Sequence, residues 1–381
     1  MEYIHNWWIL SIIIILVVLI LLFWSKSKKV KPKPADKLYI EGLRALLSGD
    51  DTKAFQRLKQ VVSQDTNNID AYLKLGDIFR KKKRFDKALQ IHNNLNLRPD
   101  LSLENQMEIR KSLALDCIES GEHSQAISIL KDMLKSNETD FWAGSKLISE
   151  YEETGNWEEA FELRERLTKD KKEKNQQILA LYKVFLGKEL ASKGEYHKAR
   201  LAYKEALNYD EKCVPAYIFL GEAYRSDERL EETVESWKKL AEKVPKAAYL
   251  IFEKLEKTLF EMGSFGEIEK IYDQILNADP KNTHALFALA TLDEKRGKTE
   301  QAQERYALIL DIDPEYLPAQ LSLLRIHQDR GQTYKAKHII DSLFDTCPSP
   351  STNFICRKCG HNSNEPLWRC PNCKSWNSYN I

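Results

Sequence analysis

The chain has 381 residues, with 58 Lys and Arg against 57 Asp and Glu, 12 Pro and 14 Gly. That length leaves room for more than one domain, and the near-zero net charge excludes a nucleic-acid binder driven by bulk charge. Charged residues at 30% with scarce Pro and Gly suit a helical protein. After residues 1–6, Trp7 to Trp24 forms an 18-residue run whose only polar residue is Ser11. At about 1.5 Å per residue it spans roughly 27 Å, close to the hydrocarbon thickness of a bilayer. Tryptophans bracket the run as in an interfacial belt, and Lys26, Lys28, Lys29, Lys31 and Lys33 follow it. No Lys or Arg precedes it, so the positive-inside rule places everything after residue 25 in the cytoplasm. The expectation is a single-pass anchor at 7–24 and a basic linker at 25–34. A cleaved signal peptide is the rival, but Glu2 stands where a basic n-region belongs and Trp24-Ser25-Lys26 is a poor cleavage site.

From 35 to 350 the chain repeats with a period near 34: Pro280, Pro314 and Pro348 keep that spacing, and so do Gly263, Gly297 and Gly331. This is the tetratricopeptide period. One copy reads Tyr217, Leu220, Gly221, Tyr224, Trp237, Pro245; another reads Tyr72, Leu75, Gly76, Phe79, Ala88. Repeat starts fall at 35, 69, 107, 141, 180, 214, 249, 283 and 317, with insertions ahead of 107, 180 and 249. The outer copies and the one at 141 are degenerate, so the count is eight to nine. Glycines at 49, 121, 155, 194, 263, 297 and 331 mark the turn from helix A to helix B. Each hairpin alone leaves an apolar face exposed, and stacking buries it. The predicted fold is an all-α solenoid with a concave inner surface suited to binding protein segments.

The fifth residue of helix A usually faces that surface. Here it is Tyr39, Leu73, Val184, Ile218, Phe287 and Leu321, a candidate groove for a partner helix or extended segment. The alternative is that several of these side chains pack inside the solenoid. The ninth position includes Asp77, Lys188, Glu222, Lys257 and Arg325 with no asparagine, unlike the carboxylate clamp of chaperone-tail binders. The basic run Lys81 to Arg84 and the lysines between Lys169 and Lys174 read as solvated, the second group in an inserted loop.

The segment 351–381 holds Cys356-Arg357-Lys358-Cys359, ten residues, then Cys370-Pro371-Asn372-Cys373. Two such knuckles facing each other make a four-thiolate site for one iron or zinc ion. So short a segment cannot bury enough apolar surface to fold alone, and the metal supplies the missing stability. His361 reads as a neighbour, since four thiolates suffice. Arg357, Lys358, Arg369 and Lys374 are expected to offset the cluster's charge, and Trp368 and Trp376 to cover the knuckles. Cys117, Cys213 and Cys347 are far apart and odd in number, which fits a reducing compartment rather than a disulfide framework. No nucleotide loop, HExxH motif or nucleophile–base constellation is present, so no enzymatic activity is expected.

An apolar anchor, tetratricopeptide repeats and a terminal Cys-x-x-Cys-Gly…Cys-Pro-x-Cys pair together resemble the lipopolysaccharide assembly protein B family of Gram-negative bacteria. The resemblance covers the whole chain. It implies a rubredoxin-like terminal domain whose four cysteines bind iron or zinc, although the ten-residue loop between knuckles departs from a true rubredoxin and favours a structural metal. It also implies an inner-membrane adaptor, with residues 1–6 periplasmic and the bulk of the chain cytoplasmic. The implied partners are an FtsH-type AAA+ protease and the lipid A deacetylase that this protease degrades, or other lipopolysaccharide synthesis and assembly proteins. Nucleic acid is not an expected partner, and a homodimer stays open. The rival functions are a general membrane scaffold for envelope-synthesis enzymes and electron transfer through the four-cysteine site.

Overall fold

The computed structural model describes residues 34–168, 173–346 and 354–380. The run Trp7 to Trp24 lies outside them, and among the described residues no helix is long and apolar enough to cross a membrane. Among the described residues, eighteen α-helices follow one another in nine hairpins. They are α1 (Ala35–Leu47), α2 (Asp51–Gln64), α3 (Ile69–Lys81), α4 (Phe85–Asn96), α5 (Leu103–Ser120) and α6 (His123–Ser136). Then come α7 (Phe141–Thr154), α8 (Trp157–Leu167), α9 (Glu173–Ser192), α10 (Tyr196–Tyr209), α11 (Val214–Ser226) and α12 (Leu230–Lys243). The last six are α13 (Phe252–Glu261), α14 (Phe265–Ala278), α15 (Thr283–Lys295), α16 (Thr299–Ile312), α17 (Leu317–Asp329) and α18 (Thr333–Thr346). The chain is a tetratricopeptide solenoid, as its period predicts.

Local chemistry starts and stops these helices. Asn68 and Asn282 accept from the backbone N–H three residues on, at 2.9 and 3.0 Å, which satisfies a donor that the first turn leaves free. Pro215 and Pro318 sit in first turns, where the missing N–H costs nothing. All seven expected turn glycines adopt positive φ, from 68° to 82°. The hairpins α3–α4 and α11–α12 lack that glycine and place Lys83 and Glu228 there instead, at φ 56° and 58°. The insertions lengthen the first helix of a hairpin: α5 has 18 residues and α9 has 20, against 13 in α1. Lys174 therefore belongs to α9 rather than to a loop. Before α13 the insertion forms a 3-10 turn, Pro245–Ile251.

The chain divides into two compact units, Met1–Ala143 and Gly144–Ile381. In the first, Gly76 of α3 leaves room for His92 of α4, which is wholly buried. Its Nδ1 lies 2.5 Å from Asp116 of α5, and Arg80 donates to the other oxygen of Asp116 at 2.8 Å. A buried carboxylate is tolerable because two donors hold it. In the second unit Leu167 fills the slot at Gly144, and aromatic rings fill two others. Tyr203 packs on Gly187 and Trp237 on Gly221, where any Cβ would overlap the ring. The Trp237 indole donates to the Ile218 carbonyl at 3.2 Å, so its one polar atom is paired.

A four-thiolate centre clamped to the repeats

The second unit also contains residues 354–380. Strands β1 (Phe354–Ile355) and β2 (Asn362–Ser363) pair antiparallel and fold the first knuckle back on itself. Cys356 N–H donates to the His361 carbonyl and Cys370 N–H to the Ser375 carbonyl, both at 2.9 Å, so the two knuckles share one design. Each ends in a left-handed residue, Gly360 at φ 73° and Lys374 at φ 57°. Glycine takes that conformation freely, whereas lysine takes it at a cost.

The four sulfurs of Cys356, Cys359, Cys370 and Cys373 lie within 4.8 Å of one another. Cys356 to Cys373 and Cys359 to Cys370 are both 3.7 Å apart. A tetrahedral metal with bonds of about 2.3 Å to sulfur needs edges of about 3.8 Å. The donor set and the spacing therefore fit one zinc or iron ion. Hydroxyls surround the sulfurs: Ser378 Oγ is 3.1 Å from Cys356, Ser375 Oγ is 3.3 Å from Cys373, and Tyr379 donates to Cys370 at 3.6 Å. The Ser378 hydroxyl, outweighing the effect of burial, pulls the Cys356 thiol down to about 6. A thiolate already formed at Cys356 favours metal capture, whereas at Cys359 the His361 backbone bond is outweighed by burial and the neighbouring sulfurs, which push that thiol up to about 11. His361 is a neighbour and not part of the sulfur cluster; its Nδ1 meets the Tyr379 hydroxyl at 2.8 Å.

Among the described residues of this ribbon, Cys356, Cys370 and Tyr379 form the buried core, with Phe354, Leu367 and Cys373 packed against it. The two tryptophans expected to cover the knuckles do not serve there. Trp376 sets its edge against the rings of Trp157, Tyr182 and Phe185, with centroids 5.4 to 6.4 Å apart. Trp368 meets Phe219 edge to face at 6.1 Å. Of the four charges expected to offset the cluster, Arg369 and Lys374 are committed elsewhere. Arg369 donates to Glu152 at 3.1 Å and to Glu153 at 2.8 Å, and Lys374 donates to Glu153 at 2.9 Å. Glu152 also accepts from the Tyr182 hydroxyl. Burial raises the Glu153 carboxyl, but Lys374 and Arg369 overcome it and hold the group below its usual range. The second knuckle is thus clamped to α7, α8, α9 and α11.

Beside the clamp lies a cleft of about 920 Å³, walled by Trp157, Phe185, Phe219, Leu250 and, from the ribbon, Leu367 and Trp368. Of the sequence-derived groove residues, Ile218 lines this cleft but is only 6% exposed. Leu73 and Val184 are core residues at 6% and 1% exposure. Helix A turns these side chains into the packing between neighbouring helices, so the six do not make one open groove. Tyr39 and Phe287 are half-buried, Tyr39 donating its hydroxyl to Asp70. Leu321 alone stands well exposed, at 49%. Sequence reasoning missed the receiving face, Glu152, Glu153, Trp157, Tyr182 and Phe185. The only signal in one dimension is reciprocal charge, an acidic pair in α7 against Arg369 and Lys374 far along the chain.

Residues 354–379 match a family model described as a rubredoxin metal binding domain, and 186–248 and 259–325 match tetratricopeptide repeat models. Lipopolysaccharide assembly protein B of Escherichia coli K12 is 24% identical over 349 residues, covering 89% of this chain and 88% of that protein. The Haemophilus influenzae protein of the same name is 24% identical over 353 residues, with the same coverage. A solved structure described as the TPR2AB-domain:pHSP90-complex of yeast Sti1 aligns over 73% of this chain and 98% of its own, at 15% identity and a TM-score of 0.35, too loose a likeness to bear on function. With its repeats, its four-cysteine ribbon and a likeness running through 89% of its length, this chain is similar to lipopolysaccharide assembly protein B.

Proposed function

We propose that this chain is an inner-membrane adaptor that restrains lipopolysaccharide synthesis by presenting the lipid A deacetylase to an FtsH-type protease. One observation carries it: the ribbon is clamped onto the repeats beside an aromatic cleft, in a chain similar over 89% of its length to lipopolysaccharide assembly protein B. Such a surface binds and positions polypeptide. Iron or zinc supplies a cross-link between the knuckles, while Arg369, Lys374 and Trp376 hold the linked pair in place. The run 7–24 serves as the anchor, keeping the repeats on the cytoplasmic side where effective concentration favours capture of membrane-bound partners. Leu321, with Tyr39 and Phe287, remains available for partner contact at the edges of the repeats.

The test is a chase of deacetylase stability in cells with the native protein, without it, and with Cys370→Ser/Cys373→Ser. A long-lived deacetylase in the last two strains is the expected result and makes the metal site part of the function. Equal lifetimes in all three overturn it in favour of a scaffold that gathers synthesis enzymes without promoting proteolysis.

A further inference from the structure

Away from the ribbon, the turn between α13 and α14 carries an apolar surface with a positive rim. Phe260 and Phe265 are 68% and 51% exposed, and their rings meet edge to face at 5.1 Å. They open on a cleft of about 450 Å³ with Ile268, Ala288 and Leu292 along its walls. Two large rings held together in water mark a contact surface more than a solvated face does. The charges around the cleft are unequal in their commitments. Glu256 accepts from the Tyr272 hydroxyl, and Arg296 pairs with Glu269 at 2.6 Å. Lys257 and Lys295 line the same cleft and make no ion pair among the described residues. The cleft therefore offers apolar walls and two uncommitted ammonium groups.

We infer that this cleft docks an acidic-flanked apolar segment of a partner protein. Large apolar side chains enter between α13 and α15, and carboxylates on either side reach Lys257 and Lys295. A recess between two helices takes inserted side chains, whereas a lipid surface fits a flat or convex patch. The inference rests on the adaptor function only in taking a protein as the occupant.

The experiment measures fluorescence anisotropy of a short labelled peptide, one Phe and one Leu between runs of Glu, added to the full chain. A twin peptide carries Lys for every Glu. The Glu peptide binds and the Lys peptide does not; Phe260→Ser weakens binding at least about tenfold; and Lys257→Glu/Lys295→Glu reverses the preference. Because Phe260 and both lysines are exposed, these variants fold. Equal binding of both peptides, binding of neither, or indifference to the substitutions overturns the proposal. So does a Phe260→Ser variant whose only change is a halved sedimenting mass, which assigns the patch to a second copy of the chain. Loss only of flotation with phosphatidylglycerol vesicles overturns it in favour of a membrane surface. If the Glu peptide binds with the charge reversal while deacetylase lifetime ignores the chain, the docking site stands and the adaptor target falls. The opposite pattern removes the docking site alone.

Discussion

In the hairpin α11–α12, Trp237 is wholly buried against Gly221, and its indole proton stays within the hairpin. In the ribbon, Trp368 and Trp376 leave their own domain and find their partners on Phe219, Trp157, Tyr182 and Phe185. The same residue type makes a core in one place and an adhesive in the other. A hairpin of about 34 residues can enclose a ring between two helices and lean on its neighbours for the rest. The ribbon has no interior large enough for an indole. It spends its sulfurs on an ion and turns its rings outward, so its order depends on metal within and helices without.

Removing the metal is the strongest way to break this comparison. Structural four-ligand sites contribute on the order of 10 kcal/mol to folding. Chelation, or Cys370→Ser, should unfold residues 354–380 while helical circular dichroism persists. Alkylation mapped by mass spectrometry checks it at pH 8: the ribbon thiols become reactive, while burial pushes Cys117 up to about 11 and Cys213 up to about 12 and keeps both protected. Modification of Cys213 before the ribbon thiols would contradict the picture. Next in size is Trp237→Ala, expected to cost about 3–5 kcal/mol in urea denaturation of the repeats, with metal content unchanged.

The clamp itself is expected to be weaker. Arg369→Ala leaves Glu152 and Glu153 without their guanidinium and should cost about 2–3 kcal/mol of docking. Hydrogen exchange read on α8 and α9 would rise while the metal stays bound; unchanged exchange would mean the aromatic contacts suffice. The same clamp has a pH signature. A carboxyl held below its usual value contributes fully above the ordinary Glu pKa of about 4.3 and loses that contribution as pH falls through the depressed value. Glu153→Gln should remove this acid-side loss, read as ribbon protection from proteolysis. The smallest effect sharpens the hairpin side: Glu228→Gly relieves a left-handed non-glycine residue and should raise repeat stability by about 0.5–1 kcal/mol in urea titration.

The hairpins are legible because each repeats one solution to the same packing problem. The glycine that turns the chain, the small residue that admits a ring and the ring itself recur at fixed offsets. The four cysteines are legible because a tetrahedron demands them at that spacing. What lies between these regularities is harder to read. Whether the fifth residue of helix A faces out or in depends on how neighbouring hairpins lean, so Val184 reads as groove and folds as core. The roles assigned to Trp368, Trp376, Arg369 and Lys374 suffer from the same blindness. Their neighbours in sequence are the metal knuckles, but their partners lie up to 221 residues away. No periodicity connects Lys374 to Glu153, and only the three-dimensional path of the chain brings them together.

That long reach changes how the array should lose its structure. A tandem of hairpins in contact only with its neighbours behaves like beads on a string, and each bead can fray on its own. The clasp from Arg369 and Lys374 to α7, with Trp376 and Trp368 on α8, α9 and α11, adds a link that skips along the string. Everything between Glu152 and Arg369 then lies on a closed circuit, and opening any part of it works against the clasp. The hairpins within that circuit should melt together as a single cooperative block for as long as the ion stays in the ribbon.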